Sequence, residues 1–107
     1  MRADHLLPAF VVGLSIWCMP TAQAADVIRI TIDKVTFAPA AVSARVGDTI
    51  EWVNDDFVAH TATARNKDWD LNILPHKTGR LTLTKSGTFD YYCRYHPQMK
   101  GQLTVAE

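Results

Sequence analysis

Three residues with soft or borderline donor atoms fall close together in "CRYHPQM": Cys93, His96 and Met99, each separated from the next by two residues. A thiolate and a thioether suit copper(I), and an imidazole also suits copper(II). Structural zinc takes Cys and His but gains little from a thioether. Calcium and magnesium ask for oxygen ligands, which this stretch does not offer. A site that holds copper in both oxidation states needs two imidazoles, one thiolate and a weak axial thioether. The stretch supplies one imidazole, so the second must come from elsewhere. Taken singly, each residue has a plainer role, since a buried Cys is usually a small core residue and a Met fills a gap. The joint Cys-x-x-His-x-x-Met spacing favours a shared site.

His60 is the stronger source of the second imidazole. It follows "EWVNDDFVA", just past a strand that contains Trp52, and a loop there can reach the end of the sheet where Cys93 emerges. His76, in "ILPHKTG", reads as an exposed turn histidine. A protease-like pairing of Cys93 with His96 is disfavoured, because the spacing is tight and no third orienting group is evident. A copper oxidase or reductase would need more histidines than the 4 in this chain. The expectation is a protein that is not an enzyme.

The elements that must position these residues read as strands. "VIRITI" alternates, with Ile28, Ile30 and Ile32 on one face. "AVSARV" groups Val42, Ala44 and Val46, and Gly47-Asp48 offers a turn before "TIEWV", which aims Ile50 and Trp52 inward. "RLTLT" brings Leu81 and Leu83 to one side, "FDYY" does so with Phe89 and Tyr91, and "GQLTV" closes with Leu103 and Val105. Six short alternating segments with Gly-centred turns predict a sandwich or barrel of antiparallel character. Residues 62–75 are less legible: a short strand near "TATA", a long loop, and a helical turn in "KDWDLNIL". Cys93 ends one strand and Gly101 opens the next, so residues 94–100 form a loop at one end of the sheet, where small sites are commonly built.

The first 24 residues read differently. Arg2 precedes an apolar run from Leu6 to Met19, and Ala22-Gln23-Ala24 has the small-x-small pattern of a signal-peptidase site. The run is shorter than the roughly 20 residues that cross a bilayer. The expectation is a signal peptide over 1–24, a single domain over 25–107, and a mature form without a membrane span. Cys18 lacks the small preceding residue of a lipidated cysteine. With Cys93 then the sole thiol of residues 25–107, an internal disulfide is excluded, and a metal would occupy a thiol that an oxidising compartment otherwise attacks. The chain has 11 basic and 11 acidic side chains, a balance that argues against nucleic-acid binding.

"GDTIEWVN" followed by His60 and then "SGTFDYYCRYHPQMKGQLTV" resembles the cupredoxins, the type 1 blue-copper proteins, and the ligand spacing is similar to that of the amicyanins. The resemblance runs from about Gly47 to Val105. It implies an all-β, small Greek-key β-sandwich (cupredoxin-like) with one type 1 copper ion. His60, Cys93 and His96 would be the strong equatorial ligands and Met99 the long axial one. It implies a periplasmic electron carrier, monomeric, exchanging electrons with transient redox partner proteins such as a dehydrogenase donor and a c-type cytochrome acceptor. A periplasmic copper chaperone or buffer without redox traffic is the alternative, although Met99 is the only methionine of residues 25–107. Asn54 matches a family asparagine that ties the two ligand loops together. The chain departs from the amicyanin pattern at Arg94 and Tyr95, where Thr and Pro are usual. Arg94 removes a hydroxyl, and the Tyr95 N–H is expected to donate to the Cys93 sulfur.

Overall fold

The structure, a computed structural model, describes residue 13, residues 15–17 and residues 24–107. The signal peptide expected over 1–24 lies almost wholly outside the described residues. The rest builds nine strands: β1 Val27–Ile32, β2 Phe37–Ala38, β3 Ala41–Arg45, β4 Thr49–Asn54, β5 His60–Ala64, β6 Asp70–Ile73, β7 Thr78–Thr82, β8 Gly87–Tyr92 and β9 Lys100–Ala106. Among the described residues no helix is long and apolar enough to cross a membrane.

The strands form a four-stranded sheet, β2-β1-β4-β7, and a five-stranded sheet, β3-β9-β8-β5-β6. The chain is all-β, as the alternating segments require. The antiparallel expectation holds for most neighbours, but β1 pairs with β4 and β3 with β9 in parallel. Alternation within a strand sets which face is buried and leaves the direction of its neighbour open, so the parallel pairs were not visible in the pattern. The helical turn expected in "KDWDLNIL" is replaced by a turn and β6, which pairs antiparallel with β5 from His60↔Ile73 to Thr63↔Asp70.

The inward faces meet in one core. Ile30, Ile32, Ile50 and Trp52 come from the four-stranded sheet, and Ala62, Ile73, Tyr91, Leu103 and Val105 from the five-stranded one. Trp52, Trp69 and Tyr91 pack with ring centroids 5.4–5.5 Å apart. Burial pushes the Tyr91 phenol up to about 12, so it stays neutral. On the far face of the four-stranded sheet, Arg29, Glu51 and Arg80 stand in register across β1, β4 and β7. Both guanidinium groups donate to Glu51, at 3.2 and 2.9 Å, which accounts for a buried carboxylate within a strand.

Two glycines are required by their surroundings. Gly47 turns the chain between β3 and β4 at φ 98°, a left-handed conformation that disfavours a side chain. Gly101 stands opposite Tyr91 in the β8–β9 ladder, and a Cβ there would collide with the Tyr91 ring.

Candidate metal centre

Two connections at one end of the sandwich carry the site. The first runs from β4 to β5, from one sheet to the other, and ends at His60. The second runs from β8 to β9 and holds Cys93, His96 and Met99. It is a tight loop closed by its own backbone: the Met99 N–H donates to the His96 carbonyl at 2.8 Å, and the Cys93 N–H to the Met99 carbonyl at 3.2 Å. The sequence spacing that singled out these residues is thus the spacing of a closed turn, which brings His96 back over Cys93.

The ligand-type atoms of His60, Cys93 and His96 all lie within 4.8 Å of one another. Cys93 Sγ is 3.7 Å from His60 Nδ1 and 3.8 Å from His96 Nδ1. With metal–sulfur and metal–nitrogen bonds of about 2.3 and about 2.0 Å, a 120° angle separates the donors by roughly 3.7 Å and a tetrahedral angle by roughly 3.5 Å. The two observed sulfur–nitrogen separations suit one metal ion bound between the thiolate and either imidazole. A trigonal His₂Cys set is the equatorial half of a blue-copper site, with a long axial ligand as its complement. His60 and Cys93 are fully buried and His96 half-buried. Met99 is buried at the foot of the same loop. His76 stays outside the cluster as an exposed turn residue at φ 60°, edge-on to Phe57 at 5.2 Å between ring centroids.

Asp56 fixes the orientation of His60. Its Oδ2 lies 2.7 Å from His60 Nε2, and a carboxylate only accepts, so Nε2 carries a proton and Nδ1 is the nitrogen that faces the sulfur. Asp56 is itself cradled by the turn between β1 and β2, where the Lys34 and Val35 N–H groups donate to its two oxygens at 2.8 and 2.9 Å. Both turn residues have positive φ, 51° and 58°. For a β-branched valine that is a strained conformation, and here it aims two consecutive N–H groups at one carboxylate. Burial pushes the Asp56 carboxyl up, but the Val35 amide, the His60 ring and the Lys34 amide outweigh it and hold the pKa below the ordinary value.

The sulfur has its own donor. The Thr61 N–H points at Cys93 Sγ over 3.3 Å. This replaces the donor expected at Tyr95, because Thr61 follows His60 on β5 and runs beside the end of β8. Thr61 also reaches the residue after Cys93, since its Oγ1 accepts the Arg94 N–H at 2.8 Å. Thr61 therefore joins the two ligand loops. Asn54, expected in that role, works elsewhere. Its amide donates to the carbonyls of Val58 (2.9 Å) and Ile73 (3.1 Å), with Leu74 O also within 3.3 Å, and its Oδ1 accepts the Asp56 N–H at 3.0 Å. It ties the His60 loop to the β6–β7 connection. Neither Asp56 nor Thr61 belongs to the spacing that singles out the metal-type residues, and only their position, four residues before and one after His60, could have marked them.

A family model described as a cupredoxin-like domain matches residues 7–105. The chain is similar to amicyanin of Paracoccus denitrificans, 29% identical over 96 residues that cover 78% of this chain and 70% of that protein. It is also similar to the methylamine utilization protein MauL of Methylorubrum extorquens, 29% identical over 98 residues that cover 88% and 84% of the two chains. Among solved structures, an amicyanin variant in its Cu(I) form superimposes with a TM-score of 0.65 at 27% identity, covering 80% of this chain and 86% of that one. The chain belongs to the cupredoxin-like family, and within it is amicyanin-like.

Proposed function

We propose that this chain is a type 1 blue-copper electron carrier. The observation that carries the reading is the convergence of Cys93 Sγ with the Nδ1 atoms of two histidines, at separations of 3.7 and 3.8 Å, on two connections that both end in the five-stranded sheet, one of them crossing from the other sheet. His60, Cys93, His96 and Met99 are the residues that would hold the copper, offering it two imidazoles, a thiolate and a thioether. When bound, copper supplies a one-electron couple between Cu(II) and Cu(I). The chain holds the ligands still around it. Asp56 locks the His60 ring, the Thr61 N–H locks the sulfur, and two backbone bonds close the loop that carries His96. A site so restrained changes shape little on gaining or losing an electron, which keeps the barrier to transfer low.

The route for the electron is the half-buried edge of His96. Phe57, Val58, Leu74 and Tyr95, on the three connections at the same end of the sandwich, are exposed apolar or aromatic side chains. This is the face on which redox partners dock, in small and transient contacts. Charge there is mixed, since Arg94 and Lys100 are offset by Asp55, Asp56 and Asp70, so docking should respond only modestly to salt. The setting proposed is the periplasm, reached by removal of residues 1–24. A relative named for methylamine utilization supports an amine-oxidising dehydrogenase as donor, with a c-type cytochrome as acceptor and the carrier a monomer.

Voltammetry of the copper-loaded protein tests the carrier role against a buffer role. A carrier gives one reversible one-electron wave that is unchanged over repeated cycles, with fast self-exchange between the two oxidation states. Loss of copper on reduction, or a wave that drifts with each cycle, would rule the carrier out.

A further inference from the structure

The loop bearing Cys93 and His96 is fastened to the edge of the five-stranded sheet by residues outside the proposed ligand set. β5 and β6 pair with Thr61 opposite Asn72 and Thr63 opposite Asp70. These four side chains therefore share one face of the ribbon, the face away from Ala62 and the core. Arg94 and Tyr95 lie across it. Arg94 Nε donates to Asp70 Oδ1 at 3.1 Å, and the Tyr95 hydroxyl donates to Asn72 Oδ1 at 2.9 Å. Consecutive loop residues are thus held by alternate residues of one strand.

Beneath them runs a second set of contacts. Thr63 Oγ1 is 2.7 Å from Asp70 Oδ1 and 2.9 Å from Thr61 Oγ1. Thr63 has a single hydroxyl proton and the carboxylate can only accept, so that proton goes to Asp70. The Thr61 hydroxyl then donates to Thr63, and the Thr61 oxygen is left to accept the Arg94 N–H. The bonds form a closed ring: Arg94 backbone to Thr61, Thr61 to Thr63, Thr63 to Asp70, and Asp70 back to the Arg94 guanidinium. Hydroxyls that donate once and accept once in series polarise one another. The ring leaves one donor of Thr61 pointing out of it, the N–H that reaches Cys93 Sγ at 3.3 Å.

We propose that Asp70, acting through Thr63, is a positioning residue for the Cys93 sulfur, and that with Asn72 it forms a clasp on the edge strand that holds the ligand loop in place. The proposal rests on the copper reading for its redox consequence alone. It accounts for Thr61 being 0% exposed on the outward face of its strand, because the loop covers it. It also gives a use to Arg94 and Tyr95, the two loop residues that depart from the amicyanin pattern. The Thr63 hydroxyl foremost, and Arg94 after it, hold the Asp70 carboxyl below its ordinary pKa, so the acceptor of the ring stays charged.

The test compares Thr63→Val, which removes the hydroxyl at nearly constant volume, with Thr63→Ser, which keeps it, and with Asp70→Ala. Two quantities are read: amide hydrogen exchange by NMR on the copper-free chain, and the midpoint potential of the copper-loaded chain. In Thr63→Val the Thr61 and Arg94 amides should exchange roughly tenfold faster, the equivalent of one lost hydrogen bond. Core amides such as that of Leu103 should be unchanged. Asp70→Ala should reproduce that local pattern, and Thr63→Ser should match the parent chain. The potential of Thr63→Val should fall, because a weaker N–H to the sulfur leaves more charge on the thiolate and favours Cu(II). Unchanged Thr61 and Arg94 exchange in Thr63→Val, a uniform rise across all amides, or an equal effect from Thr63→Ser would overturn the clasp. A parent chain that takes up no copper would sink the copper reading instead, while the exchange data still decide the clasp.

Discussion

Cys93, His96 and Met99 are the residues whose roles the sequence exposes most clearly, because a closed turn places them at a fixed and short spacing. His60 is nearly as legible, since it stands where a strand that holds Trp52 gives way to the next. The residues that aim these side chains are harder to see. Asp56 reaches His60 from four residues away, and Thr61 reaches the sulfur of a residue 32 positions later. An Asp in a loop and a Thr in a strand are ordinary in any sequence, and only the folded geometry gives them a task. The Tyr95 donor and the Asn54 tie failed as expectations for the same reason: each depends on which backbone a loop comes to lie beside. Asp56→Ala should weaken copper binding by about 10- to 100-fold, as loss of a carboxylate behind a metal-bound histidine does elsewhere. Competition against a chelator of known affinity measures it. Equal affinity in the variant would mean that packing alone holds the His60 ring.

At the scale of elements, β1, β3 and β9 are legible because each has one buried and one more exposed face, and β4 because its apolar residues Ile50 and Trp52 alternate with polar Thr49 and Glu51. β5 does not show this alternation. All of its residues, "HTATA", are buried, since the core lies on one side and the ligand loop on the other. A strand covered on both faces offers no period to read, and its small residues leave few apolar marks. β6 is short, and Trp69 with Ile73 falls at a helical spacing that competes with the true pattern. β2 has only two residues, Phe37 and Ala38, too few to show any period. The close approach of β9 to Tyr91 sets a further expectation. Gly101→Ala should cost about 2 to 3 kcal/mol, because the added methyl must displace the buried Tyr91 ring or bend the ladder. Chemical denaturation of the copper-free chain reads this directly. A loss below about 0.5 kcal/mol would show that the ring moves aside freely.

Across the whole molecule, the two ends of the sandwich divide the work. The upper end holds the metal-type cluster and its exposed rim. The lower end is closed by polar contacts, with Asp48 at their centre. Its carboxylate accepts the Asp26 and Arg45 N–H groups, each at 2.9 Å, and its backbone bonds Arg45 and Leu83. The Asp26 amide foremost, then that of Arg45, hold the Asp48 pKa below its ordinary value. A depressed carboxylate contributes stability that is complete above its unfolded pKa, about 3.9, and is lost as pH falls through the folded value. Asp48→Asn should therefore be less stable than the parent chain at neutral pH, and the gap should shrink as pH drops below about 4. Melting of the copper-free protein across that range checks the sign. A gap that widens toward acid would contradict it.

The most direct test of the copper site is a visible absorption titration of residues 25–107 with copper(II), run beside Cys93→Ser. An intense blue band that saturates at one copper per chain, and is missing from the serine variant, is the predicted result. A pale band, or a blue band that survives the loss of Cys93, would contradict a thiolate–copper centre at this end of the sandwich.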